Sequence, residues 1–254
     1  MTRITVKVGS NVLTRDDGSL DVTRMSALVD QIAWMRRHDI EVILVSSGAV
    51  ASGRSELHLQ KEMSEVNERQ LYSAVGQAKL INRYYEMFRD HKIAVGQVLT
   101  MKENFNRPDH FQTQQNCMNV MLYNHVLPIV NENDTVSVTE LMFTDNDELA
   151  GLVTEMMHSD ALIILSNIDG IYTGDPADAD SHLITSVASN DDISKYVQKK
   201  KSNAGRGGMQ TKSTIAQQLA AKGINVIIAN GKRENILINL IEDKDNTPHT
   251  EFVK

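Results

Sequence analysis

Two lysines and an aspartate, far apart in the chain, have surroundings suited to chemistry on a phosphate. Lys7 lies in the β-branched run Ile4-Thr5-Val6-Lys7-Val8, which leads into Gly9-Ser10-Asn11. That is the pattern of a buried strand ending in a turn where backbone can approach a ligand closely. Lysine seldom sits at the mouth of a core strand unless an anion needs it; the alternative is a surface strand with a solvated lysine. Lys212 closes Gly205-Arg206-Gly207-Gly208-Met209-Gln210-Thr211-Lys212, where glycines, a hydroxyl and a lysine meet at a helix start. Such glycines let N–H groups face phosphate oxygens, and the helix dipole favours an anion. A flexible linker beside Lys199-Lys200-Lys201 is the competing reading. Neither the P-loop spacing nor a Gly-x-Gly-x-x-Gly fingerprint is present. Asp147, in Asp145-Asn146-Asp147, could bind a divalent cation, fix a lysine or belong to a helix cap. Asn131-Glu132-Asn133-Asp134 is either a ligand-facing strand end or a turn.

Taken together these pieces point to phosphoryl transfer. That chemistry needs cations around the transferring group and firm placement of donor and acceptor, with little covalent help. Lys7 and Lys212 would supply the charge, and Asp147 would hold them apart and oriented. No Ser-His-Asp or Cys-His arrangement competes. The eight histidines lack metal-ligand spacing, so no residue is assigned as a metal ligand. Cys117 has no base beside it and reads as a packed small hydrophobe. Gly170-Ile171-Tyr172-Thr173-Gly174-Asp175-Pro176 is either a structural turn or a nucleotide edge with Tyr172 near a base.

The elements that must position these residues follow from periodicity. Continuous apolar strands are expected at Ile4 to Val8, Glu41 to Val45, Ile93 to Leu99, Val126 to Val130, Ala161 to Leu165 and Asn225 to Ala229, as in a parallel sheet covered on both faces. Helices are expected from Val22 to His38, from the small-residue segment after Ser47-Gly48, from Arg69 to His91, Cys117 to Asn124, Asp145 to Met157, Met209 to Lys222 and Glu234 to Glu242. Residues 54–66 read as polar and irregular, Met101 to Gln115 as a loop flap, Val136 to Thr144 as a small hairpin, and the last residues as a short polar end. Strands alternating with helices predict an α/β fold, a three-layer αβα sandwich around a mostly parallel sheet, as one domain. In such a sheet ligands gather at the carboxyl ends of the strands. Lys7-Val8-Gly9, Ser47-Gly48, Asn131 to Asp134 and Ser166 to Asp169 all fall there.

Composition narrows the partners. At 254 residues with 41% hydrophobic content the chain can bury a sizeable core. A net charge of −7 argues against nonspecific binding to nucleic acid or to acidic membranes. No apolar run reaches the roughly 20 residues of a membrane-spanning helix, and no signal-peptide core precedes the first strand. The single cysteine excludes an intrachain disulfide and fits a reducing cytoplasm.

The motifs Val6-Lys7-Val8-Gly9-Ser10, Val45-Ser46-Ser47-Gly48-Ala49-Val50, Asn131-Glu132-Asn133-Asp134, Asp145-Asn146-Asp147, Gly170 to Pro176 and Gly207 to Lys212 occur in order along almost the whole chain. In this the chain resembles the glutamate 5-kinases of the amino acid kinase superfamily. The resemblance implies transfer of the ATP γ-phosphate to the side-chain carboxylate of L-glutamate, with magnesium, as the first step of proline biosynthesis. It implies that Lys7 and Lys212 neutralise phosphate and transition-state charge and that Asp147 orients them. Ser47, Gly48, Asp134 and Asn146 match glutamate-binding positions, with Asp134 taking the ammonium group. Gly9, Ser166, Asn167 and Arg206-Gly207-Gly208-Met209-Gln210-Thr211-Lys212 match the nucleotide side. A glutamate-binding part over residues 1–160 and an ATP-binding part over 161–254 are implied, with homo-oligomers (dimer or tetramer) and feedback inhibition by proline.

Three features depart from the family pattern. Ser166-Asn167 stands where Thr-Asp is frequent, and Arg206 stands where Thr is common. The chain also ends near Phe252, without the RNA-binding-like C-terminal (PUA) domain of many members. Two rival readings remain. One is a sister kinase acting on N-acetylglutamate, aspartate or a nucleoside monophosphate. N-acetylglutamate enzymes begin with Lys-x-Gly-Gly rather than Lys7-Val8-Gly9-Ser10, and their substrate has no ammonium for Asp134. The other is a catalytically silent glutamate or proline sensor, which would not need to keep Lys7, Asp147 and Lys212.

Overall fold

The structure is a computed structural model that describes residues 2–57, 63–136, 143–197 and 208–254. The expected hairpin from Val136 to Thr144 falls mostly outside the described residues, as do Gly205, Arg206, Gly207 and the run Lys199-Lys200-Lys201. The strands are β1 (Arg3–Val8), β2 (Glu41–Ser46), β3 (Val95–Thr100), β4 (Leu127–Glu132), β5 (Ala161–Ser166), β6 (Ile171–Tyr172), β7 (Leu183–Ile184), β8 (Ser186–Ala188), β9 (Asn225–Asn230) and β10 (His249–Val253). The helices are α1 (Ser10–Leu13), α2 (Val22–Arg37), α3 (Ala49–Glu56), α4 (Glu65–Asp90), α5 (Glu103–Asn106), α6 (Pro108–Tyr123), α7 (Asn146–Met156), α8 (Met209–Ala221) and α9 (Ile236–Glu242).

Among the described residues the main sheet has the order β3-β4-β2-β1-β5-β9-β10-β8. Its first six strands pair in parallel, and β10 turns antiparallel to β9. Strand alternation builds two cores. Val6, Val8, Leu44, Ile163 and Leu165 face α2, α4 and α9, where Met25, Leu28, Leu80, Phe88 and Leu237 are buried. Ile43, Val45, Leu162 and Ile164 face Met118, Leu149, Val153 and Leu219 of α6, α7 and α8. The chain is thus a three-layer αβα sandwich, as its periodicity predicts. Because side chains alternate along a strand, Lys7 leaves the face that Val6 and Val8 occupy and points toward α7. No helix among the described residues is long and apolar enough to cross a membrane.

Several expectations need correction. The segment 101–115 is largely helical rather than a loop: the side-chain oxygen of Asn104 accepts the Met101 N–H at 2.7 Å, and Pro108 opens α6, where its missing donor costs nothing. Its polar residues hide the period because only Phe111, Met118 and Leu122 meet the core on that helix. Cys117, next to Met118, therefore points outward and is exposed rather than packed. Helix α4 begins at Glu65, four residues before the expected start. Ser64 accepts the Asn67 N–H at 3.3 Å, and Glu65 and Glu68 favour the positive helix end, whereas apolar periodicity starts only at Leu71. The supposedly irregular stretch from 54 is helical through Glu56. The polar end is in fact β10, whose alternation buries Phe252 completely.

Helices α3 and α4 cross at two glycines. A Cβ on Gly53 would run into the Tyr72 carbonyl oxygen, and one on Gly76 into that of Ala49. The crossing carries the Ser47-Gly48 turn at the head of α3, so it sets how close α4 lies to the strand ends. Gly76→Ala should therefore destabilise the fold by about 3 kcal/mol through backbone overpacking, read as a lower urea midpoint with unchanged slope.

Candidate active site

The sheet extends from β1 through β2 and β4 to β3 on one side, and β5 and β9 lie on the other. The carboxyl ends of β1 and β5 therefore flank the point where the topology reverses, the usual ligand crevice of an open parallel sheet. The Gly9 N–H reaches the Leu165 carbonyl at 3.3 Å across it. A Cβ on Gly9 would lie 3.4 Å from the Lys7 ammonium, so glycine keeps the space beside that charge open.

Asp145 starts α7 from outside the helix. One of its carboxylate oxygens accepts the N–H groups of Asp147 and Glu148 at 2.9 and 3.0 Å. This places Asp147 in the first turn, where the helix dipole favours a negative charge. Asp147 is 1% exposed and holds both lysines. Lys7 Nζ lies 2.6 Å from Oδ1 and Lys212 Nζ 2.9 Å from Oδ2. Coulombic attraction to the two ammonium groups comes ahead of their hydrogen bonding in stabilising this carboxylate. Burial pushes the Asp147 carboxyl upward, but the two ammonium groups outweigh it and hold it below the ordinary range. Asp145 is shifted the other way, by burial and then by the Asp147 charge. Among the described residues one buried oxygen of Asp145 finds no hydrogen-bond partner.

A second group of polar side chains surrounds the ends of β2 and β4. Gly48, at a left-handed φ of 105° that suits glycine, turns the chain from β2 into α3. The amide nitrogen of Asn146 donates to the Ser47 hydroxyl at 2.9 Å and to the Asn131 carbonyl oxygen at 2.9 Å. Asn131 in turn donates to the Gln77 carbonyl oxygen at 2.8 Å. Arg69 bonds to Asp134 and, at 3.0 Å, to Glu132, and the Ser73 hydroxyl donates to Asp134 at 3.2 Å. Below the Ser47 turn the Tyr84 hydroxyl meets Ser46 at 2.9 Å, and burial pushes that phenol up to about 12.

The residues singled out in the sequence thus fall into three sets. Lys7, Gly9, Asp147 and Lys212 converge. Ser47, Gly48, Asn146 and Asp134 ring a second patch, joined to the first through the consecutive residues Asn146 and Asp147. Ser166 ends β5, one residue beyond the Val8–Leu165 pairing, with its hydroxyl 3.5 Å from Asn167, whose side chain is exposed. Gly208 and Met209 open α8. Gln210 and Thr211 line a groove of about 460 Å³ between α7 and α8 instead of meeting the lysines. Residues 206 and 207 are outside the described segments. Sequence reasoning passed over Arg69, Ser73 and Gln77 of α4. Their spacing of four residues, a polar stripe on a helix that otherwise packs inward, was the available signal.

The crevice of this three-layer sandwich thus holds two lysines against one buried carboxylate. The model of the amino acid kinase family matches residues 2–230, and the chain belongs to that family. Within it the chain groups with the glutamate 5-kinases. It is 65% identical to the glutamate 5-kinase of Bacteroides thetaiotaomicron over 252 residues, covering 99% of this chain and 70% of that protein. It is 44% identical to that of Chlorobaculum tepidum over 236 residues, covering 92% and 65%. The carbamate kinase of Giardia lamblia, solved with AMP-PNP, shares the fold at 14% identity with a TM-score of 0.68, covering 100% of this chain and 98% of that one.

Proposed function

We propose that the Lys7–Asp147–Lys212 cluster is the phosphoryl-transfer centre of this kinase. Membership among the glutamate 5-kinases makes the reaction the ATP-dependent phosphorylation of the side-chain carboxylate of L-glutamate. The observation that carries the assignment is one buried carboxylate holding two ammonium groups drawn from positions 7 and 212. A carboxylate oxygen of the substrate forms the new bond to the γ-phosphorus. The bond from that phosphorus to the bridging oxygen breaks, and ADP leaves with the electron pair. The acceptor is already an anion, so no base is required, and Asp147 serves to place charge rather than to move a proton. Two lysines beside the transferring group stabilise the negative charge spread over its oxygens.

Ser47, Gly48, Asn131, Asp134 and Asn146 form the glutamate side, within the part of the chain from 1 to 160. Ser166, Asn167 and the stretch from Arg206 to Lys212, within 161–254, form the nucleotide side together with Gly9 from the end of β1. Among the described residues no cluster of His, Cys, Asp or Glu is placed to hold a metal. Magnesium would arrive with the ATP phosphates, as it commonly does. Trapping the acyl phosphate with hydroxylamine tests the reading. Hydroxamate should form with ATP, magnesium and glutamate, and neither N-acetylglutamate nor aspartate should replace glutamate. Activity with N-acetylglutamate but not with glutamate would overturn it. Proline added to the same assay should lower the rate.

A further inference from the structure

We infer that Gln77 of α4 is a positioning residue that sets which hydrogen-bond donors and acceptors the glutamate pocket presents. This rests on the assignment of Ser47, Asn131 and Asn146 to that pocket. Gln77 and Asn131 are buried, 8% and 3% exposed, while Asn146 and Ser47 are only partly covered. A chain of side-chain hydrogen bonds therefore runs from the interior to the site.

In the structure that chain runs in one direction. The Gln77 carbonyl oxygen accepts from Asn131 Nδ2 at 2.8 Å, which obliges Asn131 to turn its own oxygen toward Asn146. Asn146 then spends its two N–H bonds on Asn131 and Ser47. An amide nitrogen has only two hydrogens. What Asn146 has left for a ligand is its carbonyl oxygen, an acceptor. The Ser47 oxygen already accepts from Asn146, so its hydroxyl hydrogen is left to donate. The pair thus offers one acceptor, suited to an ammonium, and one donor, suited to a carboxylate. That combination matches a free α-amino acid and disfavours a substrate whose amine is acylated. Turning the Asn131 amide over would reverse both offers. With Gln77 oriented as it stands, that flip would set oxygen against oxygen and leave two buried acceptors without a hydrogen, so Gln77 biases Asn131 against it.

Gln77→Leu removes the acceptor at similar volume. The expected result is a rise of about 10-fold in the glutamate KM, the size of one net hydrogen bond, with the ATP KM and kcat changed less than twofold. Discrimination against N-acetylglutamate should shrink. Gln77→Glu, which restores an oxygen facing Asn131, should recover most of the glutamate affinity lost in the leucine variant. A merely structural role would lower the melting temperature and kcat without splitting the two KM values. An unchanged glutamate KM in Gln77→Leu, with a raised one in Asn146→Ala, would overturn the role of Gln77 and keep the pocket. An unchanged KM in both would overturn the pocket assignment itself.

Discussion

Lys212→Met lowers kcat by about a thousandfold or more, the scale on which a positioned charge acts on a transferring phosphoryl group, and leaves glutamate binding intact. Methionine matches the length of the side chain, so the packing of α8 is kept and only the ammonium is lost. The other members of the cluster stay in place, since Lys7 has its own oxygen on Asp147. Among the described residues the glutamate patch of Ser47, Asn131, Asn146 and Asp134 shares no hydrogen bond or ion pair with Lys212. Binding of glutamate, followed by calorimetry, should therefore match the unaltered protein while single-turnover phosphoryl transfer collapses. Full turnover in the methionine variant would remove Lys212 from the centre.

The sheet and the charge centre were legible in the sequence, whereas the support behind the substrate patch was not. Buried parallel strands are continuous apolar runs, so β1, β2, β4, β5 and β9 declare themselves. Lys7 stands out as an interruption of such a run. Asp145-Asn146-Asp147 was open to three readings, and the structure supports two at once: Asp145 caps α7 and Asp147 holds lysines. What stayed hidden depends on distance along the chain. That Gln77 bonds to Asn131, 54 residues away, is set by how closely the Gly53–Gly76 crossing lets α4 approach β4. Periodicity carries no information about such an approach. The helical stretch from 103 to 115 was missed for a different reason, although the end of α6 was expected from Cys117: Gln, Asn and Thr serve on a solvated helix face as well as in a loop, and few side chains there meet the core.

Asp147→Asn should be the most damaging isosteric change in the molecule for stability. The amide keeps the shape and removes the one negative charge that, among the described residues, pairs with Lys7, whose side chain is 5% exposed, and with Lys212, at 12%. Leaving buried cations without their partner costs about 3–5 kcal/mol, read by urea denaturation near neutral pH. The penalty must depend on pH, and its sign follows from the depressed carboxyl of Asp147. A group whose folded pKa lies below its unfolded value contributes its full stability above the unfolded value, about 4 for a free aspartate. That contribution is lost as pH falls through the folded pKa. The gap between the two proteins should be constant above about pH 6 and close steadily below about pH 4. Asp145 runs in the opposite sense, because its raised carboxyl favours the folded state in acid. Part of that rise comes from the Asp147 charge, so the variant loses some of this acid-side benefit too. A gap that widened on acidification would mean that the lysines are paired elsewhere, and the charge centre would have to be redrawn.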